Sequence, residues 1–187
     1  LSKDSINLPD SVAQNYEFHF AHVINNSISK PKNYITLDKG SSDGIAPEMG
    51  VVDQNGVEGI VSNVSKNASR VISLLNPDMR LSCKVKNTDY FGSLVWDGQS
   101  PYYATLEEMP RHVKFHMGDT IITSGYSAIF PEGLIVGTIA GNQKRKDDNF
   151  FSLKIKLSTD FTRLGTVRAI KSKLKDELRT IESAPVE

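Results

Sequence analysis

Short apolar runs with the side-chain alternation of β-strands recur at intervals of roughly 8 to 12 residues through most of the chain. Turns rich in Gly, Asn, Asp and Pro separate about a dozen such runs, with little helical periodicity between them. The length of 187 residues suits one large or two small domains. Two barrels joined near residues 76–80 fit that length better than one large sheet. The sequence therefore predicts an all-β fold of two small β-barrels, with short flanking segments at both termini.

Particular segments carry this prediction. Near the N-terminus, Phe18, Phe20 and His22 alternate with Glu17, His19 and Ala21, a pattern typical of a strand that enters a core. Residues 49–64 give the clearest hairpin signal, because Asn55-Gly56 tolerates the positive φ angles of a tight primed turn.

The C-terminal third has two further strands and a charged tail. Residues 151–157 alternate regularly between apolar and polar side chains, and residues 167–170 form the last predicted strand. Beyond them, Leu174, Leu178 and Ile181 have helical spacing within a charged run. A helix of about 12 residues is marginal alone, so the tail is predicted to be either a short surface helix or unstructured.

Composition excludes several classes of function. Lys plus Arg and Asp plus Glu each total 22, so the formal net charge is zero, unlike the basic balance of a nucleic-acid-binding domain. No apolar run approaches the roughly 18 residues needed to span a bilayer, and no signal-peptide pattern is present. The single cysteine, Cys83, excludes an internal disulfide. Since the chain begins with Leu1, we expect a piece of a longer protein whose membrane anchor lies upstream.

The residues offer no convincing catalytic or metal site. His112 and His116 are four residues apart, but no helix signal surrounds them, so we interpret them as ordinary surface or partly buried histidines. A serine-protease triad would need His22, Asp53 or Asp78, and Ser124 in that order. Only one glycine, Gly125, accompanies Ser124, which is therefore interpreted as a turn residue. We expect no catalytic residue, no cofactor and no metal.

Aromatic side chains in turn-rich segments suggest binding instead. Four of them are difficult to bury in a barrel core: Tyr102, Tyr103, Tyr126 and Phe130. Exposed aromatics beside apolar strands are typical of protein–protein contacts, so these four are the predicted partner-binding residues. Two alternatives remain open from the residues alone. One is a trypsin-like hydrolase, and the other is a peptidoglycan-binding module that uses Trp96 with Tyr102 and Tyr103.

Several motifs together resemble a known family. The most specific is residues 118–137, which read G-D-T-I-I-T-S-G-Y-S-A-I-F-P-E-G-L-I-V-G. Further matches are A-H-V-I-N-N-S at 21–27, N-Y-I-T-L-D-K-G-S-S-D-G at 33–44, residues 50–61, Y-F-G-S-L-V-W at 90–96 and L-S-T-D-F-T-R at 157–163. On these residues the chain resembles the periplasmic region of the MreC family of rod shape-determining proteins, of the kind found in the Bacteroidetes.

The resemblance implies a specific domain organisation. It implies two barrels of remotely chymotrypsin-like topology without a triad, the second inserted into the first. Barrel one would comprise residues 16–77 plus 150–170, and barrel two residues 78–149. Residues 1–15 would be a linker or the remnant of an upstream helix, and residues 171–187 a charged tail. The residues alone do not distinguish inserted from sequential barrels.

The resemblance also implies a role. Such proteins are non-enzymatic scaffolds of the cell-wall elongation complex that control cell shape. The implied partners are a class B penicillin-binding protein, MreD, MreB through an N-terminal part absent from this chain, and a second copy. The implied location is the periplasm, with anchoring to the bacterial inner membrane by a segment outside this chain.

Overall fold

The computed structural model describes residues 8–143 and 149–186 and has twelve strands. In chain order they are β1 (Tyr16–Asn26), β2 (Tyr34–Leu37), β3 (Gly50–Val52), β4 (Val57–Val64), β5 (Ser69–Ser73), β6 (Leu81–Val85), β7 (Phe91–Val95), β8 (Tyr103–Pro110), β9 (Thr120–Thr123), β10 (Ile135–Gln143), β11 (Phe150–Leu157) and β12 (Thr166–Ser172). The short helices are α1 (Asp10–Ala13), a 3-10 turn at Ser41–Asp43, and α2 (Lys175–Glu182).

The strands close into two antiparallel six-stranded barrels. Barrel one has the order β1-β12-β3-β4-β5-β2, and barrel two the order β10-β11-β8-β7-β6-β9. Closure leaves neither sheet with an unpaired edge, which matters for strands as short as these. Branched and aliphatic side chains fill both interiors, for example Val61 and Val71 in barrel one and Leu106 and Ile155 in barrel two. The predicted all-β double-barrel fold is confirmed.

The chain enters barrel two after β5 and returns to barrel one only with β12. The expected assignment of residues 150–170 to barrel one is therefore wrong for β11, which pairs with β10 and β8 in barrel two. Leu153 and Ile155 of this strand are fully buried and complete the core of barrel two, but their alternation with polar residues would suit either barrel. Only tertiary pairing shows which barrel receives such a strand.

The hairpin at Asn55-Gly56 differs from the predicted two-residue turn. β3 ends at Val52 and β4 begins at Val57, so the loop is four residues long. Oδ1 of Asp53 accepts hydrogen bonds from the backbone N–H groups of Asn55 at 2.8 Å and Gly56 at 3.1 Å. This Asx turn satisfies the loop backbone in place of a primed turn.

The aromatic side of β1 faces outward. Ala21 is fully buried, whereas Phe20 is 58% exposed and His22 lies on the same outer side. The expectation that the strand carries Phe20 into a core is therefore wrong. The small side chain of Ala21 occupies the crowded barrel interior, and the guanidinium of Arg168 covers the Phe20 ring from β12 at 4.8 Å.

Phe130 joins the two barrels. It is 3% exposed, so the predicted exposure of this residue is wrong. A Cβ atom on Gly50 of β3 would lie only 2.4 Å from Cε1 of Phe130, so the bare backbone of this glycine receives the ring. Nearby, Oγ1 of Thr159 donates to the carbonyl oxygen of Val57 at 2.8 Å. We call the covered outer face of β3 and β4, with Phe130 upon it, the joint.

The terminal segments are short. Of the predicted tail, residues 171–172 belong to β12 and Lys175–Glu182 form α2, which has no buried residue. The Lys175 ammonium lies 3.6 Å from the Glu48 carboxylate of barrel one, and Arg179 also bonds to Glu48. At the other end, the part of residues 1–15 that is described contains α1, while residues 1–7 and 187 lie outside the described residues.

Candidate interaction surfaces

A groove of about 520 Å³ runs between α2 and the β9–β10 loop. Glu48 and Lys175 line it on the barrel-one side, and Tyr126, Ala128 and Ile129 line it on the barrel-two side. Tyr126 is 78% exposed, consistent with its predicted accessibility. The groove is mixed in character, because ion pairs border an apolar and aromatic wall.

The loop that carries Tyr126 has an unusual backbone. Ser127 has φ of 71° and Ala128 of 56°, and Glu48 across the groove has φ of 67°. Non-glycine residues in this left-handed region cost on the order of 1 kcal/mol each and persist only where neighbouring contacts impose them. Such strain concentrates at functional sites, which makes the loop the leading candidate for a contact surface.

Hydrogen bonds and packing hold this loop in place. The Thr123 hydroxyl donates to the Pro131 carbonyl oxygen at 2.6 Å and accepts from the Leu134 N–H at 2.9 Å. Since Phe130 is buried in the joint, the loop is fixed at both ends of its exposed part. Tyr126 is therefore presented on a rigid support, which lowers the entropic cost of binding a partner.

Tyr102 and Tyr103 lie far from Tyr126 around barrel two. They are at the start of β8, and two strands separate β8 from β9 in either direction around the closed sheet. Tyr102 is 54% exposed. The half-buried Tyr103 ring packs beneath the Lys154 ammonium at 4.3 Å. The four predicted residues therefore do not form one patch.

Trp96 cannot serve as a sugar-stacking platform in this fold. It is 3% exposed, and its Nε1–H donates to the Ser100 carbonyl oxygen at 2.8 Å. The proposed grouping of Trp96 with the exposed Tyr102 is therefore not assembled on the surface.

Sequence reasoning missed one surface, on the outside of barrel one. Phe20 and Ile24 on β1 are 58% and 64% exposed, and Arg168 stacks on Phe20. Exposed aromatic and arginine side chains are over-represented at protein interfaces. The spacing of four residues, which places Phe20 and Ile24 on one side of a strand, was visible in the sequence, but the direction of that side was not.

The former triad candidates have other partners. Ser124 Oγ lies 2.8 Å from Ser82 Oγ and accepts the Tyr126 N–H at 3.1 Å, the geometry expected of a turn serine. His22 lies beside Asp38, and its backbone N–H donates to Asp38 Oδ1 at 2.7 Å and lowers the pKa of that carboxyl. Asp53 caps its own turn, and Asp78 pairs with Lys32.

His112 and His116, which were not predicted to be metal ligands, lie in different environments. The His112 ring packs edge-on against Tyr90 with 5.5 Å between ring centroids, whereas His116 lies 3.8 Å from Asp119. Among residues 8–143 and 149–186, no group of three or more His, Cys, Asp or Glu side chains could hold a metal ion. Within the same residues, no helix is long and apolar enough to cross a membrane.

Two closed antiparallel barrels, the second inserted into the first and both with exposed aromatic side chains, define a double-barrel domain. The family model described as "Rod shape-determining protein MreC, barrel core" matches residues 23–171. The chain belongs to the MreC family of rod shape-determining proteins.

Relatives and solved structures agree with this assignment. The cell shape-determining protein MreC of Listeria monocytogenes is 30% identical over 90% of this chain, and that of Cereibacter sphaeroides is 30% identical over 80%. The chain spans only 58% and 47% of the length of these two relatives. A solved MreC from Listeria monocytogenes superimposes with a TM-score of 0.77 at 29% identity, covering 91% of this chain and 80% of that one.

A more distant structure shares the fold. It is an MreC from Helicobacter pylori solved in complex with the penicillin-binding protein PBP2, with a TM-score of 0.68 at 15% identity. The match covers 84% of this chain and 99% of that chain.

Proposed function

We propose that this chain is a non-enzymatic scaffold of the cell-wall elongation complex that binds a class B penicillin-binding protein. The observation that carries the proposal is the exposed Tyr126, held on a strained and anchored loop beside a groove. Rigid aromatic side chains next to grooves are typical anchors of protein interfaces. Membership of the MreC family and the Helicobacter pylori complex support a penicillin-binding protein as the occupant.

The proposal includes location and further partners. We place the domain in the periplasm, attached to the inner membrane by a segment outside this chain. A similar MreC structure, with a TM-score of 0.72 at 22% identity, is described as a major periplasmic domain, which supports this location. MreD, MreB through an N-terminal part of the protein, and a second copy are the other proposed partners.

Tyr126 is the proposed centre of the contact. Replacing Tyr126 by alanine is expected to weaken binding to the periplasmic domain of the class B penicillin-binding protein by roughly 30-fold, the loss typical of an interface hot spot of about 2 kcal/mol. Titration calorimetry with the full chain measures this change.

Two other variants make the result specific. Tyr102→Ala removes an exposed aromatic on the opposite side of barrel two and is expected to change the Kd less than about threefold. If Phe20→Ala weakens binding and Tyr126→Ala does not, the contact lies on barrel one and Tyr126 is not its centre. If the unaltered chain does not bind, the proposed partner itself is wrong.

The absence of hydrolase activity is tested separately. A fluorophosphonate probe is expected to leave Ser124 unlabelled, because its hydroxyl is engaged by Ser82 and Tyr126 rather than by a histidine. Intact-mass and peptide mass spectrometry measure the adduct. A stoichiometric adduct on Ser124 that disappears in Ser124→Ala would contradict the non-enzymatic role.

A further inference from the structure

Glu58 is a completely buried carboxyl on the outside of barrel one. Along β4, Val57 and Val61 point into the barrel core, and a Cβ on Gly59 would meet the core residue Val71 at 2.8 Å. A β-bulge interrupts the pairing with β3 at Glu58, but the pairing with β5 is regular there: Ile60 lies opposite the outward Ile72, and the backbone carbonyl of Glu58 accepts the Leu74 N–H at 2.9 Å. Both side chains therefore lie on the outer side of the barrel. Ile60 pairs with Gly50, the residue that receives Phe130 from barrel two. Glu58 therefore lies on the face that forms the joint.

The described residues at the joint donate no hydrogen bond to the Glu58 carboxylate. Among the described residues no group donates a hydrogen bond to either oxygen of Glu58, although the side chain has no solvent exposure; Asp53 is a hydrogen-bond partner only for the protonated carboxyl. Ser158 Oγ, which would lie 2.5 Å from a Cβ on Gly56 in the adjoining turn, is likewise buried and unpartnered. Buried polar groups without partners are costly and rare, so two of them at one barrel contact call for an explanation.

The surroundings favour a neutral carboxyl. Among the described residues, Asp53 is the titratable group that acts on Glu58, first through a side-chain hydrogen bond and then through its charge. The other elements packed near the hairpin contribute uncharged residues: Leu74, Leu134, Ile135, Ser158 and Thr159. Burial is the largest cause and Asp53 adds to it, so that the pKa of Glu58 rises from 4.5 to about 9. While the joint is closed, Glu58 thus stays protonated at neutral pH.

We propose that Glu58 is a proton-linked latch between the two barrels. In the closed joint the neutral carboxyl is sealed between barrel one and the segments that cover it. When the joint opens, water reaches Glu58, its O–H bond ionises, and the proton passes to solvent. The open form is therefore favoured by rising pH.

The expected pH window follows from the two protonation states. Below about pH 4.5 both forms hold the proton, and closure is fully favoured. Between this value and about 9, only the open form loses it, so the ratio of open to closed rises by up to about tenfold per pH unit. Opening of the joint also changes the groove, because Glu48 borders the groove from barrel one and Tyr126 borders it from barrel two.

The first test measures proton linkage. Urea unfolding also exposes Glu58, so the unfolding constant of the wild-type chain divided by that of Glu58→Gln is expected to rise by up to about tenfold per unit from pH 5 to pH 8. Glu17→Gln, which removes an exposed carboxylate of barrel one, is expected to keep the wild-type slope. A ratio that stays constant over this range overturns the proposal.

The second test separates opening from global unfolding. Spin labels at Asn67→Cys in barrel one and Gln99→Cys in barrel two, in a Cys83→Ala background, report the distance between the barrels. A second, longer distance is expected to grow from pH 5 to pH 9 before the circular-dichroism signal of the strands changes, and to be insensitive to pH in Glu58→Gln. A single distance up to pH 9 in the Glu58 protein, or the same response in Glu58→Gln, overturns the latch.

Discussion

Replacing Phe130 by alanine is expected to lower the free energy of unfolding by about 3–5 kcal/mol, the usual cost of truncating a buried Phe. The ring is 3% exposed and rests on the bare backbone of Gly50, so its loss leaves a cavity at the joint that the barrels cannot readily fill. Urea unfolding followed by circular dichroism measures the loss. Tyr126→Ala is the matched control in the same loop, since its 78% exposure predicts a change within about 0.5 kcal/mol.

A double variant tests whether Phe130 stabilises the fold through its contact with Gly50. Gly50→Ala alone would place its Cβ 2.4 Å from the Phe130 ring and is expected to be destabilising. In the Phe130→Ala background the same methyl group enters the vacated space. The two changes should therefore cost less together than the sum of their separate effects. Simple additivity would show that Phe130 stabilises the fold through other contacts.

Gly137→Ala is expected to destabilise barrel two by about 3 kcal/mol or more, the upper end for overpacked sites. A Cβ at this position of β10 would lie 2.2 Å from the Lys156 carbonyl oxygen and 2.7 Å from Cγ2 of Ile155. The first neighbour is backbone and cannot rotate away, so the β10–β11 pairing must shift. Trp96, the one tryptophan of the chain and buried in barrel two, reports the transition by fluorescence.

Gly141 provides the control on the same strand. Its added Cβ would meet Lys154 at 3.6 Å, an ordinary contact with a flexible side chain. Gly141→Ala is therefore expected to change the stability by less than about 1 kcal/mol. Equal urea midpoints for the two variants would show that β10 can move to accept a side chain at Gly137.

Much of the local structure was predictable because its causes are local. Alternating side chains and turn residues predicted the positions of β4, β11 and β12, and residues 118–137 together with five shorter motifs indicated the family. The Asn55-Gly56 turn was predicted in the right place but with the wrong geometry. Asp53, two residues upstream, supplies an acceptor that stabilises a longer loop.

The candidate surfaces were predicted less well, because exposure depends on distant parts of the chain. Tyr126 and Phe130 lie four residues apart in one turn-rich segment, and residues of similar types flank both. Barrel one buries Phe130 and leaves Tyr126 in solvent. Phe20 was expected in a core but is exposed, because the narrow interior of barrel one accepts the small Ala21 and the Phe20 side of the strand faces outward.

The sequence by itself determined the all-β class, the approximate strands and the family, because alternation, turn chemistry and motif are properties of short segments. Tertiary structure alone decided that β11 closes barrel two, that Phe130 joins the barrels, and that Glu58 is completely buried. Each of these depends on strand pairing or packing between residues far apart in the chain. The physical reason is that a side chain's environment is set by what covers it, and the covering residues here come from the other barrel or from the segments that join the two.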